Sequence, residues 1–276
     1  MAASNMEPAS AESAQTVLIT GASSGIGEAF AQRFAREGFN LVLVARSADK
    51  LNALAQQLRA DFGVAVHVEA ADLSRASAAR RIAASLKRNK VKVDILINNA
   101  GVLEQGAFID MRAERHQELI ALNVSGLTAM LAHFVAPMVE RGHGRILNVA
   151  SIAAFQPVPT LATYAATKAY VLSLTESLSE ELKGTGVTIT ALCPGITATN
   201  MMSTAKKANA RLARLPSILI GQAEQVAEEG FQACMQGDVI RVPGTINLMA
   251  SLAGRASPKW LLRRITGSLG RKTLAS

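Results

Sequence analysis

A phenol and an ammonium stand four residues apart in Tyr164-Ala165-Ala166-Thr167-Lys168. On a helix that spacing puts both side chains on one face, one turn apart. A phenol gives up its proton near pH ~10, so by itself it is a poor acid–base group at neutral pH. An ammonium held beside it favours the phenolate and draws that pKa down. The pair has the make-up of a proton-transfer device. Chance also puts Tyr and Lys at this spacing on surface helices, so its meaning depends on the elements around it.

The first of those elements is near the N-terminus. Thr16-Val-Leu-Ile-Thr20 is a short β-rich run that ends in Gly21-Ala22-Ser23-Ser24-Gly25-Ile26-Gly27, and an amphipathic helix with Ala29, Phe30, Phe34 and Ala35 follows. A strand, a glycine turn and a helix N-terminus make an anion site: backbone N–H groups and the helix dipole point at a pyrophosphate. Asn40 to Ala45 reads as a second strand, buried on both faces. In a dinucleotide fold the end of this strand reads the adenosine ribose, an acid suiting NAD and an arginine suiting the 2′-phosphate of NADP. The position holds Ala45, Arg46 and Ser47, with no acid before Asp49, which points to NADP(H).

Strands and helices then alternate: a helix from Ala48 to Ala60, a strand from Val64 to Val68 followed by Asp72 and Leu73, and a basic helix from Arg75 to Arg88. A fourth strand, Val93 to Ile97, ends in Asn98-Asn99-Ala100-Gly101. Met111 to Arg141 reads as one long helix, apolar nearly all round from Leu127 to Val139 and so buried in the monomer or against another subunit. Asn123 falls in its middle, where Asn is disfavoured, and predicts a kink or a polar task. A fifth strand, Gly144 to Ala150, puts Ser151 at its C-terminal end, where such sheets bind ligands. A sixth, Gly186 to Cys193, leads into Pro194-Gly195-Ile196-Thr197-Ala198-Thr199; a helix from Ala223 to Gln236 and a short strand, Val239 to Val242, follow. This alternation predicts an α/β fold, a single doubly wound domain with a parallel sheet of seven strands flanked by helices over residues 16–243.

Composition narrows the function classes. The chain has 276 residues, 49% hydrophobic and 18% charged, enough for a sizeable core. Cys193 and Cys234 lie in apolar contexts and read as buried thiols in a reducing compartment rather than a disulfide. His67, His116, His133 and His143 lack metal-ligand spacing, so no metal is expected. Of the net charge of +8, seven basic residues lie between Val239 and Ser276 with no acid among them. The body is thus nearly neutral, which argues against a nucleic-acid surface. Residues 1–15 are Ala/Ser-rich, without a basic stretch leading into an apolar one, and are expected to be a disordered leader in a cytoplasmic protein.

Taken in order, Thr20-Gly21-x-x-x-Gly25-x-Gly27, Asp72, Asn98-Asn99-Ala100-Gly101, Asn123, Ser151, Tyr164-x-x-x-Lys168 and Pro194-Gly195 with Thr199 resemble the short-chain dehydrogenase/reductase family, over about residues 16–199. The resemblance implies a Rossmann-type catalytic domain that moves hydride between NADP(H) and a carbonyl or secondary alcohol. It implies Tyr164 as general acid/base and Lys168 as the group that lowers its pKa and binds the nicotinamide ribose. Ser151 would hold the substrate oxygen with Tyr164, and Asn123 would hold a water linking Lys168 to solvent. Gly21, Ser23, Ser24, Gly25, Ile26 and Gly27 would cradle the pyrophosphate, Arg46 the 2′-phosphate, and Asp72 with Leu73 the adenine. Asn99, Ala100 and Gly101 would line the cleft, and Pro194, Gly195, Ile196, Thr197 and Thr199 would meet the nicotinamide amide. The family's usual homodimer or homotetramer is implied as well.

The segment 200–215, where the family closes a loop over substrate, is Met-rich and basic; Met suits an adaptable apolar pocket, hence an expected lipophilic carbonyl substrate. Residues 244–276 are expected to be a basic helical extension. Its stripe of Leu261, Leu262, Ile265 and Leu269 suits packing on a subunit, or peripheral contact of 258–272 with an anionic membrane. Two alternatives stand beside the reductase: a cofactor-binding regulator or docking protein on the same fold, and an epimerase or dehydratase of the same family.

Overall fold

The computed structural model describes residues 14–197, 221–245, 247–249, 251 and 264. Its framework is a seven-stranded parallel sheet in the order β3-β2-β1-β4-β5-β6-β7. The strands are β1 (Thr16–Thr20), β2 (Asn40–Ala45), β3 (Val66–Ala70), β4 (Ile95–Asn98), β5 (Gly144–Val149), β6 (Val187–Leu192) and β7 (Ile240–Arg241). The helices are α1 (Gly25–Arg36), α2 (Ala48–Phe62), α3 (Ala78–Arg88), α4 (Ala113–Ile120), α5 (Leu127–Glu140), α6 (Ala162–Glu181) and, after the undescribed stretch, α7 (Ala223–Gln236).

The apolar runs of β1 and β2 have no polar face because both faces of the sheet are covered. Val17, Ile19, Leu41 and Leu43 pack with Phe30, Phe34, Leu51 and Leu58 in one core. Leu18, Val42 and Val44 point the other way, into a core with Ile82, Met130, Phe134, Ile146 and Val171. Period-two alternation thus splits each strand between two helical layers. The strand order reverses between β1 and β4, and a crevice opens there at the carboxyl ends of the strands.

Several expected boundaries move, and four of the changes have a visible cause. β3 covers 66–70 rather than 64–68, because it is Val66 that registers with Leu41 and Ala70 with Ala45. β4 covers 95–98 rather than 93–97, paired from Ile95↔Val17 to Asn98↔Asn148. Helix α3 begins at Ala78, not Arg75: Asp72 Oδ1 accepts from the Ser74 amide at 3.1 Å and its hydroxyl at 2.7 Å, holding a turn that delays the helix. The single helix expected over 111–141 is α4, a π-turn at Ala121–Gly126 and α5. The wide turn falls on Asn123, the residue whose position in the sequence predicted a kink.

By length and composition the stretch 113–140 could cross a membrane. Here Leu127, Met130, Leu131, Phe134 and Met138 pack into the core instead, and the opposite face of α5 is exposed at Ala132, His133, Ala136 and Pro137. Cys193 and Cys234 are both buried thiols. Most of the leader (residues 1–13), the segment 200–215 and the stretch 258–272 apart from Arg264 lie outside the described residues.

Helix α6 carries the residue pair that opened the argument, and buried polar contacts fix it along the sheet. Its buried stripe runs through Tyr164, Thr167, Lys168, Val171, Leu172 and Thr175. At the far end Asn98 Nδ2 donates to Asn148 Oδ1 at 3.0 Å, and Asn148 Nδ2 donates to Thr175 Oγ1 at 2.9 Å. Thr175→Val keeps the shape but leaves a buried amide without its acceptor. The expected loss is about 1–3 kcal/mol of unfolding free energy, recovered in Thr175→Ser and read by denaturant titration.

Candidate active site

The glycine turn after β1 is built for close backbone approach. Gly21 and Gly25 take left-handed backbone angles, φ 68° and 59°. A Cβ on Gly27 would lie 2.2 Å from the Gly21 carbonyl oxygen, so only glycine lets helix α1 start there. The two strand ends are tied together. Thr20 Oγ1 accepts from the amides of Asn99 and Ala100, each at 2.9 Å, and Asn99 Nδ2 donates to the Thr20 carbonyl at 2.9 Å. Ser24 is the N-cap of α1 but forms no side-chain cap, so the first-turn N–H groups of α1 have no partner from it.

The turn opens into a cleft of about 830 Å³. Its lining includes Gly21, Ser23, Ser24, Gly25 and Ile26 at one wall, and Asn99, Ala100 and Gly101 at another. The glycine cradle, the uncapped helix and the size of the cleft fit a dinucleotide. At the end beside β2 stand Arg46, Ser47, Lys50, Asp72 and Leu73. Arg46 is exposed and forms no ion pair within 4.0 Å among the described residues. It is still near enough to Asp72 to act on it. The Ser74 hydroxyl, and then the charges of Arg46 and Arg75, hold that carboxyl below its ordinary range. Lys50 was not singled out in the sequence; its spacing from Arg46, four residues on in the first turn of α2, was the available signal. Pro194, Gly195, Ile196 and Thr197 line the cleft, and Thr199 lies outside the described residues. Gly195 lies against Asn247, whose Nδ2 atom would be 2.5 Å from a Cβ there.

The reacting end lies where β5 meets α6. Ser151 follows β5 in extended backbone (φ −172°), and its Oγ accepts from the Ala153 amide at 3.1 Å. The Ser151 hydroxyl lies close enough to the Tyr164 phenol to lower its pKa. Lys168 is buried to 5% exposure, and its Nζ donates to the Val149 carbonyl at 2.8 Å. Burial pushes the Lys168 pKa down to about 8. The ammonium is therefore mostly charged at pH 7 and titrates far closer to neutrality than an ordinary lysine.

Tyr164 differs from the sequence expectation. Burial raises its pKa, and the opposing influence is the Ser151 hydroxyl, not Lys168. The reason is geometric: Lys168 Nζ is 5.8 Å from the Tyr164 ring centre and is engaged with Val149. Tyr164 is therefore a protonated phenol at neutral pH and can act as a proton donor.

Asn123 is buried in the π-turn, with all three of its polar contacts inside the protein. Its Oδ1 accepts from the Val102 amide at 2.9 Å; its Nδ2 donates to the Val102 carbonyl at 2.9 Å and to Thr167 Oγ1 at 3.1 Å. It thereby clasps the segment after β4 to helix α6. Gly101 lies between the two polar groups: a Cβ there would be 3.3 Å from Asn123 Oδ1 and 3.5 Å from Lys168 Nζ.

A family model described as short chain dehydrogenase matches residues 15–210. The chain belongs to the short-chain dehydrogenase family. This chain is an oxidoreductase: its chemistry is hydride transfer between a nicotinamide and a carbonyl or alcohol. It is similar to the oxidoreductase UcpA of Salmonella typhimurium, with 37% identity over 71% of this chain and 74% of the relative. Among solved structures it is similar to a short-chain dehydrogenase from Sphingobium yanoikuyae in complex with NADPH. The identity is 36% and the TM-score 0.78, over 87% of this chain and 92% of the other. A short-chain dehydrogenase/reductase from Burkholderia phymatum in complex with NAD matches at 28% identity and the same TM-score of 0.78, again over 87% and 92%.

Proposed function

We propose that this family member is an NADP(H)-preferring reductase of carbonyl compounds, run in reverse as a secondary alcohol dehydrogenase, with Tyr164 as general acid/base. The observation that carries the reading is the buried Ser151–Tyr164 pair at the end of the dinucleotide cleft, with the Tyr164 phenol kept protonated. A bound nicotinamide supplies the hydride. Ser151 and Tyr164 present two hydroxyl donors to one substrate oxygen, which gains negative charge as reduction proceeds. Donors aimed at developing charge stabilise the transition state more than the ground state. Tyr164 then gives its proton to that oxygen. Lys168, charged at pH 7, stands one turn away to restore it, and Asn123 Oδ1 keeps a second lone pair for a water on the Lys168 side. A mere cofactor sensor would need no such acid–base set.

The NADP(H) preference is supported by Arg46 and Lys50, which both line the cleft at the end beside β2 where the 2′-phosphate would fall. Losing a charged contact to phosphate costs on the order of 1.5–3 kcal/mol, tenfold or more in affinity. Fluorescence titration should therefore show NADPH bound more tightly than NADH, and Arg46→Ala should remove most of that margin while leaving NADH affinity unchanged. Equal binding of the two dinucleotides by the wild type would overturn the preference.

The walls around Tyr164, with Leu103, Val158 and Leu161, support a lipophilic substrate. The exposed small residues of α5, and Tyr170 of α6 bonded to Thr128 at 3.0 Å, support a homodimer or homotetramer through these two helices. We place the enzyme in the cytoplasm.

A further inference from the structure

The segment from Ser151 to Leu161 forms one side of the reacting end of the cleft. Ala153, Val158 and Leu161 from this segment, with Leu103, pack against Tyr164 in a small cluster separate from the two sheet cores. Besides Ser151, one polar side chain of this segment lines the cleft: Gln156.

Its position is well defined. It follows a single 3-10 turn, Ile152–Phe155, in extended backbone (φ −153°, ψ 156°). The turn is fixed by the Ala153 amide on Ser151 Oγ at 3.1 Å, and by the Ile152 amide on the Pro194 carbonyl at 3.0 Å. The same backbone that presents Ser151 to the substrate therefore also places Gln156. The side chain is half-buried, and among the described residues its amide takes part in no hydrogen bond. Nearby Gln105 differs, since its Nε2 donates to Thr160 Oγ1 at 3.4 Å. An amide has two donors and an acceptor to satisfy. When a substrate displaces water from an apolar wall, an unmet amide carries its full desolvation penalty.

We infer that Gln156 reads a second oxygen on the substrate. The site takes a ketone with an apolar body and a further carbonyl or hydroxyl group, a diketone or a hydroxyketone. This rests on the reductase reading above and narrows its substrate class. The amide meets either group, donating to a carbonyl or accepting from a hydroxyl. A monoketone of the same shape fills the walls but leaves the amide against hydrocarbon. Sites built around a polar contact reject the analogue lacking it far more strongly than apolar pockets reject a missing methylene.

The test compares 1-phenylpropane-1,2-dione with 1-phenylpropan-1-one as substrates of the full chain with NADPH. Diketones are intrinsically more reactive, so the decisive quantity is the change in the kcat/KM ratio between wild type and Gln156→Leu. We expect the ratio to fall at least tenfold, through a raised KM for the diketone together with a lowered KM for the monoketone, which no longer buries an unmet amide, and with NADPH affinity unchanged. Gln156→Met serves if the leucine variant does not fold. An unchanged ratio overturns the inference even if both ketones are reduced, and the reductase reading then stands. If NADPH binds but neither ketone is reduced, that reading has failed. Calorimetric titration of both ketones into the NADP+-loaded protein still decides the contact: equal affinities in wild type sink it, and a diketone advantage lost in Gln156→Leu upholds it.

Discussion

Tyr164→Phe should reduce carbonyl turnover by at least about a thousandfold while leaving NADPH affinity within twofold. The substitution removes one oxygen and nothing else of size. On the proposed mechanism that oxygen serves twice, as one of two donors to the developing oxyanion and as the proton source. General acid catalysis contributes about 10²–10⁴ in rate, and a single oxyanion donor about 10²–10³. The two overlap in one atom, so they do not multiply. Ser151→Ala removes a donor but leaves the acid, so its loss should be smaller, roughly 10²-fold. Fluorescence titration separates binding from chemistry, and stopped-flow single turnovers give the rate of the chemical step. A Tyr164→Phe enzyme with more than a tenth of wild-type kcat would remove Tyr164 from the proton-donor role.

Lys168→Met should abolish activity and yet make the cofactor-free protein more stable at pH 7. Burial lowers the Lys168 pKa from 10.5 to about 8, which corresponds to about 3 kcal/mol of penalty on the charged form. Below pH 8 both the folded and the unfolded chain hold the proton, and the penalty stands in full. Between pH 8 and 10.5 the folded chain releases it first, so the stability contributed by this site rises with pH. Methionine removes the charge but also the donor to the Val149 carbonyl, which offsets about 1 kcal/mol. The net gain of about 2 kcal/mol should raise the melting midpoint by roughly 5 °C at pH 7, whereas at pH 10.5, where the lost hydrogen bond outweighs the little penalty that remains, the variant should melt about 2 °C below wild type. Thermal scans at the two values check this, and a variant equally destabilised at both would show that the buried charge carries no strain. In the wild type, kcat for reduction should fall as pH climbs through about 8, where Lys168 loses the proton that resupplies Tyr164.

Much of the site was legible because its pieces are local. The turn from Gly21 to Gly27 needs glycines for backbone reasons that hold within seven residues. Tyr164 and Lys168 share a helix face by period alone, and Arg46 follows the second strand wherever that strand ends. Asn123 announced itself as a residue out of place, and the π-turn is the backbone's response. Strand ends were less legible. β3 and β4 stop where their neighbours stop, and registers such as Val66↔Leu41 involve residues far apart in the chain. Helix α3 started late for a side-chain reason, the Asp72–Ser74 turn, that competes with helix at the same residues.

From sequence alone came the α/β class, the glycine turn at one end of the cleft, the order of the candidate reacting residues and the family resemblance, because short-range spacing and strand–helix alternation encode them. Only the tertiary structure decided that Ser151 meets Tyr164, that Asn123 clasps Val102 and Thr167, that Lys50 joins Arg46, and that Gln156 stands uncommitted in an apolar wall. It also decided the direction of the Tyr164 pKa. A neighbouring ammonium lowers it in any sequence argument, but burial depends on what covers the ring, and here Lys168 is turned to the Val149 carbonyl. Contacts across the fold and desolvation are sums over distant parts of the chain, so they come into being only when those parts are brought together.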